Sequence, residues 1–364
     1  MAPHAPLPKT YVLSSHYISL AQCAQDYRRL LDQLGCLATS PDDADVIFLH
    51  GTLGQALPTL MATPGLADRY LVGYLVWEAD RLAESALRLL PLFDAIWTPS
   101  WYSARSFVPH HEQVRWLPHV VRPAKVPSQQ AIAQLEDVLG PPSPCELVQI
   151  GRPHDPRKAF TEGARAAQAA AYGRPGLTLI QKMMFSKTNV SPVPTARRYG
   201  SVVELTGLFN EDLMAALYAR AHFVFSNHHS EGWGLTLSEG MAAGTPAIAS
   251  NYSGNLTYMG PQSNILIDGV ESQVRHDDRS ESFEAPMRWH YALPGHIEQA
   301  MGRAYDMVGT PEYDAMARQA RRIAKVYDAR HVRLLMRRLL TDIAEGQRAG
   351  GRPRPKNLSA LQIR

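Results

Sequence analysis

The chain has 364 residues, of which 45% are hydrophobic and 20% charged, and its formal net charge is +3. This length exceeds what one hydrophobic core usually fills, so we expect two domains, and the composition excludes general disorder. The small net charge gives no reason by itself to expect nucleic-acid or membrane binding.

The cysteines and the N-terminal segment indicate the compartment. Cys23, Cys36 and Cys145 are scattered and lack C-x-x-C spacing, which argues against a disulfide framework or a structural zinc site. We see neither a signal peptide at the N-terminus nor a stretch apolar enough to span a bilayer. We therefore expect a cytoplasmic protein, at most peripheral at the inner membrane face.

Short apolar strands alternate with helices in residues 1–122. Strands are predicted at 11–15, 45–49, 71–77, 95–98 and 114–117, with an amphipathic helix at 20–34. Residues 123–144 contain the runs RPAKVPS and LGPPSP with a helical piece between them, and this pattern predicts a linker between domains. The alternation resumes in a second domain, 145–325, with helices at 160–171, 211–220 and 235–243 and strands at 146–151, 177–181, 202–205, 222–226 and 246–249.

This pattern predicts the α/β class, with two Rossmann-like doubly wound parallel-sheet domains that face a cleft. Residues 312–345 read as a long helical stretch rich in arginine, and we expect 326–346 to pack back toward the N-terminal domain, followed by a loose basic tail at 347–364. The basic stretch is either a solvated helix face or a weak contact for anionic lipid headgroups or an anionic acceptor.

The most informative segment is 226–255, SNHHSEGWGLTLSEGMAAGTPAIASNYSGN. It reads as a strand, a glycine-rich turn, a helix, a strand and a second turn. Gly232 and Gly234 permit close approach of the backbone, and the helix that begins near Leu235 directs its N-terminal N–H groups to the same place. Such a turn binds anions, phosphate in particular.

Two carboxylates flank this turn, Glu231 before it and Glu239 on the helix. Carboxylates accept hydrogen bonds from hydroxyls and do not bind phosphate. A ligand with a central diphosphate and hydroxyl-rich rings on either side would use all of these groups. A nucleotide sugar is such a ligand.

The run Glu231-GWGLTLS-Glu239 followed by GMAAGTP resembles the E-x7-E signature of retaining glycosyltransferases of the GT-B type, the glycogen-synthase-like and mannosyltransferase-like group. Gly151-Arg152 with Lys158 is similar to the basic phosphate clamp of that family. The spacing from Arg152 to Lys158 is one residue longer than usual, so Arg157 is an alternative to Lys158. Residues 73–82, 93–107 and 116–121 resemble its N-terminal domain.

The resemblance implies roles for individual residues. Glu239 would bind the ribose, Glu231 the hydroxyls of the transferred sugar, and Arg152 with Lys158 the leaving diphosphate. The donor would also contact a set of residues in the two turns and at the base: Gly232, Trp233, Gly234, Leu235, Ser253, Gly254, Asn255 and Thr206. Basic groups and a helix N-terminus stabilise the charge of the departing diphosphate, so no metal and no other cofactor is expected.

The acceptor side is expected in the N-terminal domain, where Glu78 and His119 are candidate catalytic residues and His50 also ends a strand. Asp43 and Asp45 form a D-x-D sequence, which we interpret as a polar turn. The partners implied are a nucleotide-diphosphate sugar donor and a saccharide or lipid-linked saccharide acceptor; the oligomeric state is open. Alternative functions are a nucleotide-sugar epimerase or phosphorylase-like enzyme on the same fold, or an inactive nucleotide-sugar-binding module.

Overall fold

The computed structural model describes residues 6–14, 18–54, 58, 62, 65–185, 191–280 and 282–348. The chain divides into two compact units. Unit 1 combines Met1–Val120 with Tyr327–Arg364, and unit 2 is Val121–Val326. Each unit has its own sheet.

Unit 1 contains a five-stranded parallel sheet in the order β1-β2-β3-β4-β5. The central strand residues are buried, which explains their near-continuous apolar sequence. The strands are Thr10–Ser14, Val46–Gly51, Tyr70–Leu75, Ala95–Thr98 and Val114–Trp116. Among the helices of unit 1 are α1 (Ile18–Gln33), α2 (Glu84–Leu87), α3 (Trp101–Phe107) and α10 (Ala329–Arg348).

Unit 2 contains a seven-stranded sheet in the order β12-β11-β10-β6-β7-β9-β8, in which only the edge pair β8–β9 is antiparallel among the described strands. The strands are Cys145–Gly151, Leu177–Met183, Thr195–Tyr199, Val202–Thr206, Phe223–Ser226, Ala247–Ser250 and Asn264–Ile267, numbered β6 to β12. A separate antiparallel hairpin follows, formed by β13 (Gly269–Gln273) and β14 (Arg288–Ala292).

The strand order of unit 2 determines where a ligand can bind. Counted in chain order, its parallel strands follow the doubly wound order 3-2-1-4-5-6. The order reverses between β6 and β10, and in open α/β sheets the crevice at such a switch point receives the ligand. The helices of this unit are α4 (Gln129–Leu139), α5 (Phe160–Ala170), α6 (Glu211–Arg220), α7 (Leu235–Ala243), α8 (His296–Met307) and α9 (Pro311–Val326).

The segment expected to be a linker, 123–144, instead belongs to unit 2 and contains α4. Ser128 begins this helix, and its hydroxyl donates a 2.5 Å hydrogen bond to Asp212 at the start of α6. The proline-rich sequence therefore marks the two ends of a packed helix. Prolines prevent a helix from extending. Because proline-rich runs are also typical of linkers, the sequence alone does not distinguish the two.

The long C-terminal helical stretch is two helices, α9 and α10, separated at Tyr327 and Asp328. The division between the units falls at this break, so α9 belongs to unit 2 and α10 to unit 1. In unit 1, Arg333 of α10 donates a 2.6 Å hydrogen bond to Gln33 at the end of α1. Most of the predicted tail lies outside the described residues, and no described helix is long and apolar enough to cross a bilayer.

Helix α7 packs closely on the sheet at Gly240. A Cβ at this position would overlap the Cγ2 of Val224 on β10, a stiff β-branched side chain. We expect Gly240→Ala to lower the free energy of unfolding of unit 2 by about 1–3 kcal/mol because of overpacking. The measurement is the midpoint of urea unfolding.

The matched control is Gly346→Ala in helix α10, where an added Cβ meets nothing within 4 Å. Because alanine has the higher helix propensity, this variant should be neutral or more stable. Equal midpoints for Gly240→Ala and the wild type would contradict the packing described for α7.

Candidate nucleotide-sugar site

The glycine-rich turn lies between the carboxyl end of β10 and helix α7. Gly234 precedes the helix with φ 88°, a left-handed conformation that favours glycine, and among the described residues no side chain caps this end. The Tyr258 hydroxyl lies 2.8 Å from the carbonyl oxygens of both Trp233 and Gly234. The turn is thereby fixed, and the N-terminal end of α7 keeps its positive dipole available to an anion.

Glu231 is the charged centre of the turn, and its residue exposure is 6%. Lys158 forms an ion pair with its Oε1, and Nη1 of Arg157 lies 3.4 Å from its Oε2. Burial opposes ionisation, but the positive charges of Lys158 and Arg157 outweigh it and hold the pKa of Glu231 well below its usual range. The carboxylate is therefore ionised at neutral pH.

The short turn Pro156–Lys158 after β6 supplies both cations. Asp155 begins this turn and accepts a 3.1 Å hydrogen bond from the Arg157 guanidinium, which also donates to the carbonyl oxygen of Ser230 at 2.8 Å. Arg157 is thus buried against the Glu231 turn, whereas Arg152 is exposed at the end of β6. The two alternatives for the phosphate contact, Arg157 and Lys158, therefore both contact Glu231, and the role of Arg152 stays a prediction.

The second turn, Ser253 to Asn255, braces the first. The Glu231 backbone N–H donates to the Ser253 Oγ at 2.8 Å, and the Gly254 N–H donates to the Glu231 carbonyl oxygen at 2.8 Å. A Cβ on Gly254 would overlap the carbonyl oxygen of Gly232, so only glycine fits there without rearrangement. This is the physical reason for glycine in the YSGN sequence.

Two of the expected donor contacts have structural roles instead. Asn255 is fully buried, and its amide donates to the Ser250 carbonyl oxygen at 3.0 Å while its Oδ1 lies 3.1 Å from Nε2 of His228. Trp233 is 2% exposed, and its indole N–H donates to Ser238 at 3.2 Å. The side chains of Asn255 and Trp233 therefore make hydrogen bonds within the fold. Leu235, another expected contact, is half-buried as the first residue of α7.

Glu239 lies on the second turn of α7 and is half-buried. The hydroxyl of Tyr218, on α6, donates a 2.8 Å hydrogen bond to its Oε2. Burial and the neighbouring carboxylate raise the pKa of Tyr218 well above its usual value, so the hydroxyl stays a donor. No local sequence pattern links a tyrosine on one helix to a glutamate on the next, so the sequence did not predict Tyr218.

Thr206 ends β9, the position expected near the nucleotide base, and its hydroxyl lies 2.8 Å from that of Thr195. The following Gly207 has φ 113°, and Lys182 donates to its carbonyl oxygen at 3.1 Å. Burial lowers the pKa of Lys182 to about 8. Lys182 therefore fixes the end of β9. The sequence did not predict this role, because Lys182 follows directly after the predicted strand 177–181 and belongs to no motif.

The two acceptor-side candidates lie in unit 1. Glu78 is half-buried, a few residues after β3. His119 is 3% exposed, and its Nδ1 lies 3.2 Å from the hydroxyl of Tyr27 and 3.3 Å from that of Tyr74. Its side chain is thus enclosed within unit 1, and its part in sugar transfer stays a prediction.

The chain is similar to known proteins in part of its sequence and in its fold. Residues 195–276, which include both turns and Glu239, match the family model of the glycosyl transferases group 1. No curated protein matches the chain in sequence. The two parallel-sheet Rossmann-like domains match solved structures of GT-B glycosyltransferases.

Three of these structures illustrate the likeness. Anabaena Alr3699/HepE in complex with UDP and glucose has a TM-score of 0.62 at 15% identity, over 92% of this chain and 99% of that one. The α,α-trehalose 6-phosphate synthase of Burkholderia multivorans has a TM-score of 0.56 at 14% identity, over 89% of this chain and 76% of that one. The pneumococcal O-GlcNAc transferase GtfA in complex with UDP and GlcNAc has a TM-score of 0.55 at 14% identity, over 87% of this chain and 60% of that one.

The buried pairing of Glu231 has a consequence for acid stability. Its pKa is lower in the folded than in the unfolded chain, so it stabilises the fold above the unfolded value of roughly 4.3, and this contribution is lost as the pH falls below it. We expect the urea midpoint of the wild type to fall more steeply between about pH 6 and about pH 3.5 than that of Glu231→Gln. The exposed control Glu136→Gln should follow the wild type, and parallel curves for Glu231→Gln and the wild type would contradict the ion pairing.

Proposed function

We propose that this protein is a glycosyltransferase that moves a sugar from a nucleotide-diphosphate sugar to an acceptor hydroxyl, with retention of anomeric configuration and without a metal. One observation carries the proposal: Lys158, Arg157 and the N-terminus of α7 converge on Glu231 at the switch point between β6 and β10. This set of groups suits a diphosphate that is joined to a hydroxyl-rich ring.

Donor binding exchanges ionic partners at this cluster. The diphosphate takes Lys158 and Arg157, and Glu231 then accepts hydrogen bonds from hydroxyls of the sugar. As transfer proceeds, the bond between the anomeric carbon and the diphosphate oxygen breaks, the bond to the acceptor oxygen forms, and the leaving phosphate takes the acceptor proton. The two cations and the helix N-terminus stabilise the negative charge that develops on the diphosphate.

The rest of the donor extends along the carboxyl ends of the strands. Glu239, oriented by Tyr218, is suited to accept hydrogen bonds from the two ribose hydroxyls, and the base lies near Thr206. Ser253 and Gly254 support the sugar side through the turn that they form with Glu231. Because two of the similar structures hold UDP, uridine diphosphate sugars are the first donors to test.

For the acceptor we propose a saccharide or a lipid-linked saccharide, with Glu78 of unit 1 as a candidate acceptor contact. We further propose a cytoplasmic protein that contacts anionic surfaces weakly through helix α10, whose exposed residues include Arg330, Arg337 and Arg338. Co-sedimentation with vesicles tests this contact: binding to vesicles that contain phosphatidylglycerol should exceed binding to purely zwitterionic ones and should weaken with salt.

The donor site is tested by a thermal-shift series with UDP, GDP, ADP and TDP sugars, followed by turnover with the best donor. We expect Glu239→Ala to weaken donor binding about 10- to 100-fold, since a charged hydrogen-bond acceptor is lost. Lys158→Ala should mainly lower kcat, by about 100-fold, since a cation at the leaving group is lost. The surface variants Glu136→Ala and Lys125→Ala serve as matched controls and should behave as the wild type.

Each alternative predicts a different result. Interconversion of free nucleotide sugars would indicate an epimerase, phosphate-dependent release of a sugar phosphate a phosphorylase, and donor binding without turnover on a broad acceptor panel an inactive binding module. Retention is checked by the anomeric configuration of the product in NMR, and metal independence by rates that do not change when Mg²⁺ or Mn²⁺ is omitted. Wild-type behaviour of both site variants would overturn the site assignment.

A further inference from the structure

The core of unit 1 brings together one cysteine and two histidines that are far apart in the sequence. Cys23 lies on helix α1, His50 on strand β2 and His119 shortly after strand β5. All three are buried, and one ligating atom of each residue lies within 4.8 Å of those of the other two. This is a compact set of one sulfur and two nitrogen ligands.

His50 is the member of this set whose ring nitrogens could be satisfied by a bound cation. Its ring is fully buried, and in the described part of the chain neither ring nitrogen has a hydrogen-bond partner. The ring stacks on Tyr74, with 4.8 Å between the centroids, so packing fixes its place. A buried polar group without a partner is costly and rare, and a bound cation that accepts the nitrogen lone pair would remove that cost.

The neighbours of His119 determine which of its nitrogens can bind. The Tyr74 hydroxyl donates to the Leu117 carbonyl oxygen at 2.9 Å. The Tyr27 hydroxyl has two acceptors, the Pro118 carbonyl oxygen at 3.1 Å and the Tyr74 hydroxyl at 2.6 Å. With both hydroxyls donating to these oxygens, Nδ1 of His119 is the donor toward them. A hydrogen bond at one ring nitrogen is the usual support of a histidine that binds a metal through the other.

We propose that Cys23, His50 and His119 bind one thiophilic metal ion, and that Zn²⁺ is the ion that this donor set fits. On binding, the Cys23 thiol releases its proton to solvent, both imidazoles stay neutral, and a water completes the coordination. The ion would tie α1 to β2 and to the segment after β5, and this role is independent of the proposed transferase activity.

The test uses the full-length chain, purified under reducing conditions, loaded with zinc and desalted. We expect one zinc per chain by mass spectrometry of the metal, and a thiolate-to-cobalt absorption band when Co²⁺ replaces it. Cys23→Ser and His50→Asn should lower zinc affinity at least about tenfold, and Cys23→Ser should abolish the cobalt band. The matched controls are Cys36→Ser, a second buried cysteine of unit 1, and His111→Asn, a buried histidine with a partner at each ring nitrogen. Both should retain the metal.

A readout on the wild type covers the case in which the variants do not fold. Zinc should raise the melting temperature of the wild type and of Cys36→Ser, and a chelator should reverse the rise. Zinc content well below one per chain together with no cobalt band in the wild type would overturn the proposal. A bound zinc that Cys23→Ser retains, or that leaves the melting temperature unchanged, would mark an adventitious surface ion and would equally overturn it.

Discussion

The ion cluster of Glu231 with Lys158 and Arg157 is the interaction on which the donor site depends. A buried carboxylate is stable only when opposite charges and hydrogen bonds replace its hydration. Here two cations, from the turn after β6, meet one carboxylate from the turn after β10, and the two loops are held in one arrangement. Asp155 also pairs with Arg157, so the cluster has two cations and two carboxylates and no net charge. The pairing therefore keeps the two loops ordered, and the attraction for an anion comes from the N-terminus of α7.

The strand order of the sheet in unit 2 brings these loops together. Strands β11, β10 and β6 are neighbours and parallel, so the loops at their carboxyl ends reach the same edge. One of these loops contains the cations, one contains Glu231, and one contains Ser253 and Gly254, which bond to the Glu231 backbone. Local glycines are required because the backbones approach closely, and the left-handed Gly234 starts helix α7 from this point. The chemistry of the turn is thus a property of strand order as much as of the residues themselves.

Sequence periodicity was sufficient for most of the regular elements. The bounds of β4, α6 and α7 agree with the predicted ranges, and the other predicted strands differ by one or two residues at their ends. Strands β8 and β12, hairpin β13–β14 and helices α2, α3 and α8 are not among the predicted elements, and α4 is predicted only as a helical piece of a linker because prolines flank it. In the site, the motif predicts roles for Glu231 and Lys158. It does not predict Tyr218, Lys182 and Tyr258, since each acts through a tertiary contact that sequence spacing does not encode.

Each of the two units buries polar groups in its own way. Unit 2 buries charge and offsets it with opposite charge at Glu231. In the core of unit 1, Tyr27, Tyr74 and His119 are hydrogen-bonded to one another, and among the described residues the ring nitrogens of His50 have no partner. Residues 23, 50 and 119 lie on no common motif, which is why the cysteine spacing argued against a zinc site. Only the parallel strand order, which sets β2 beside β3 and under α1, brings these side chains together, so spacing rules cannot exclude a site whose ligands are spread over a whole domain.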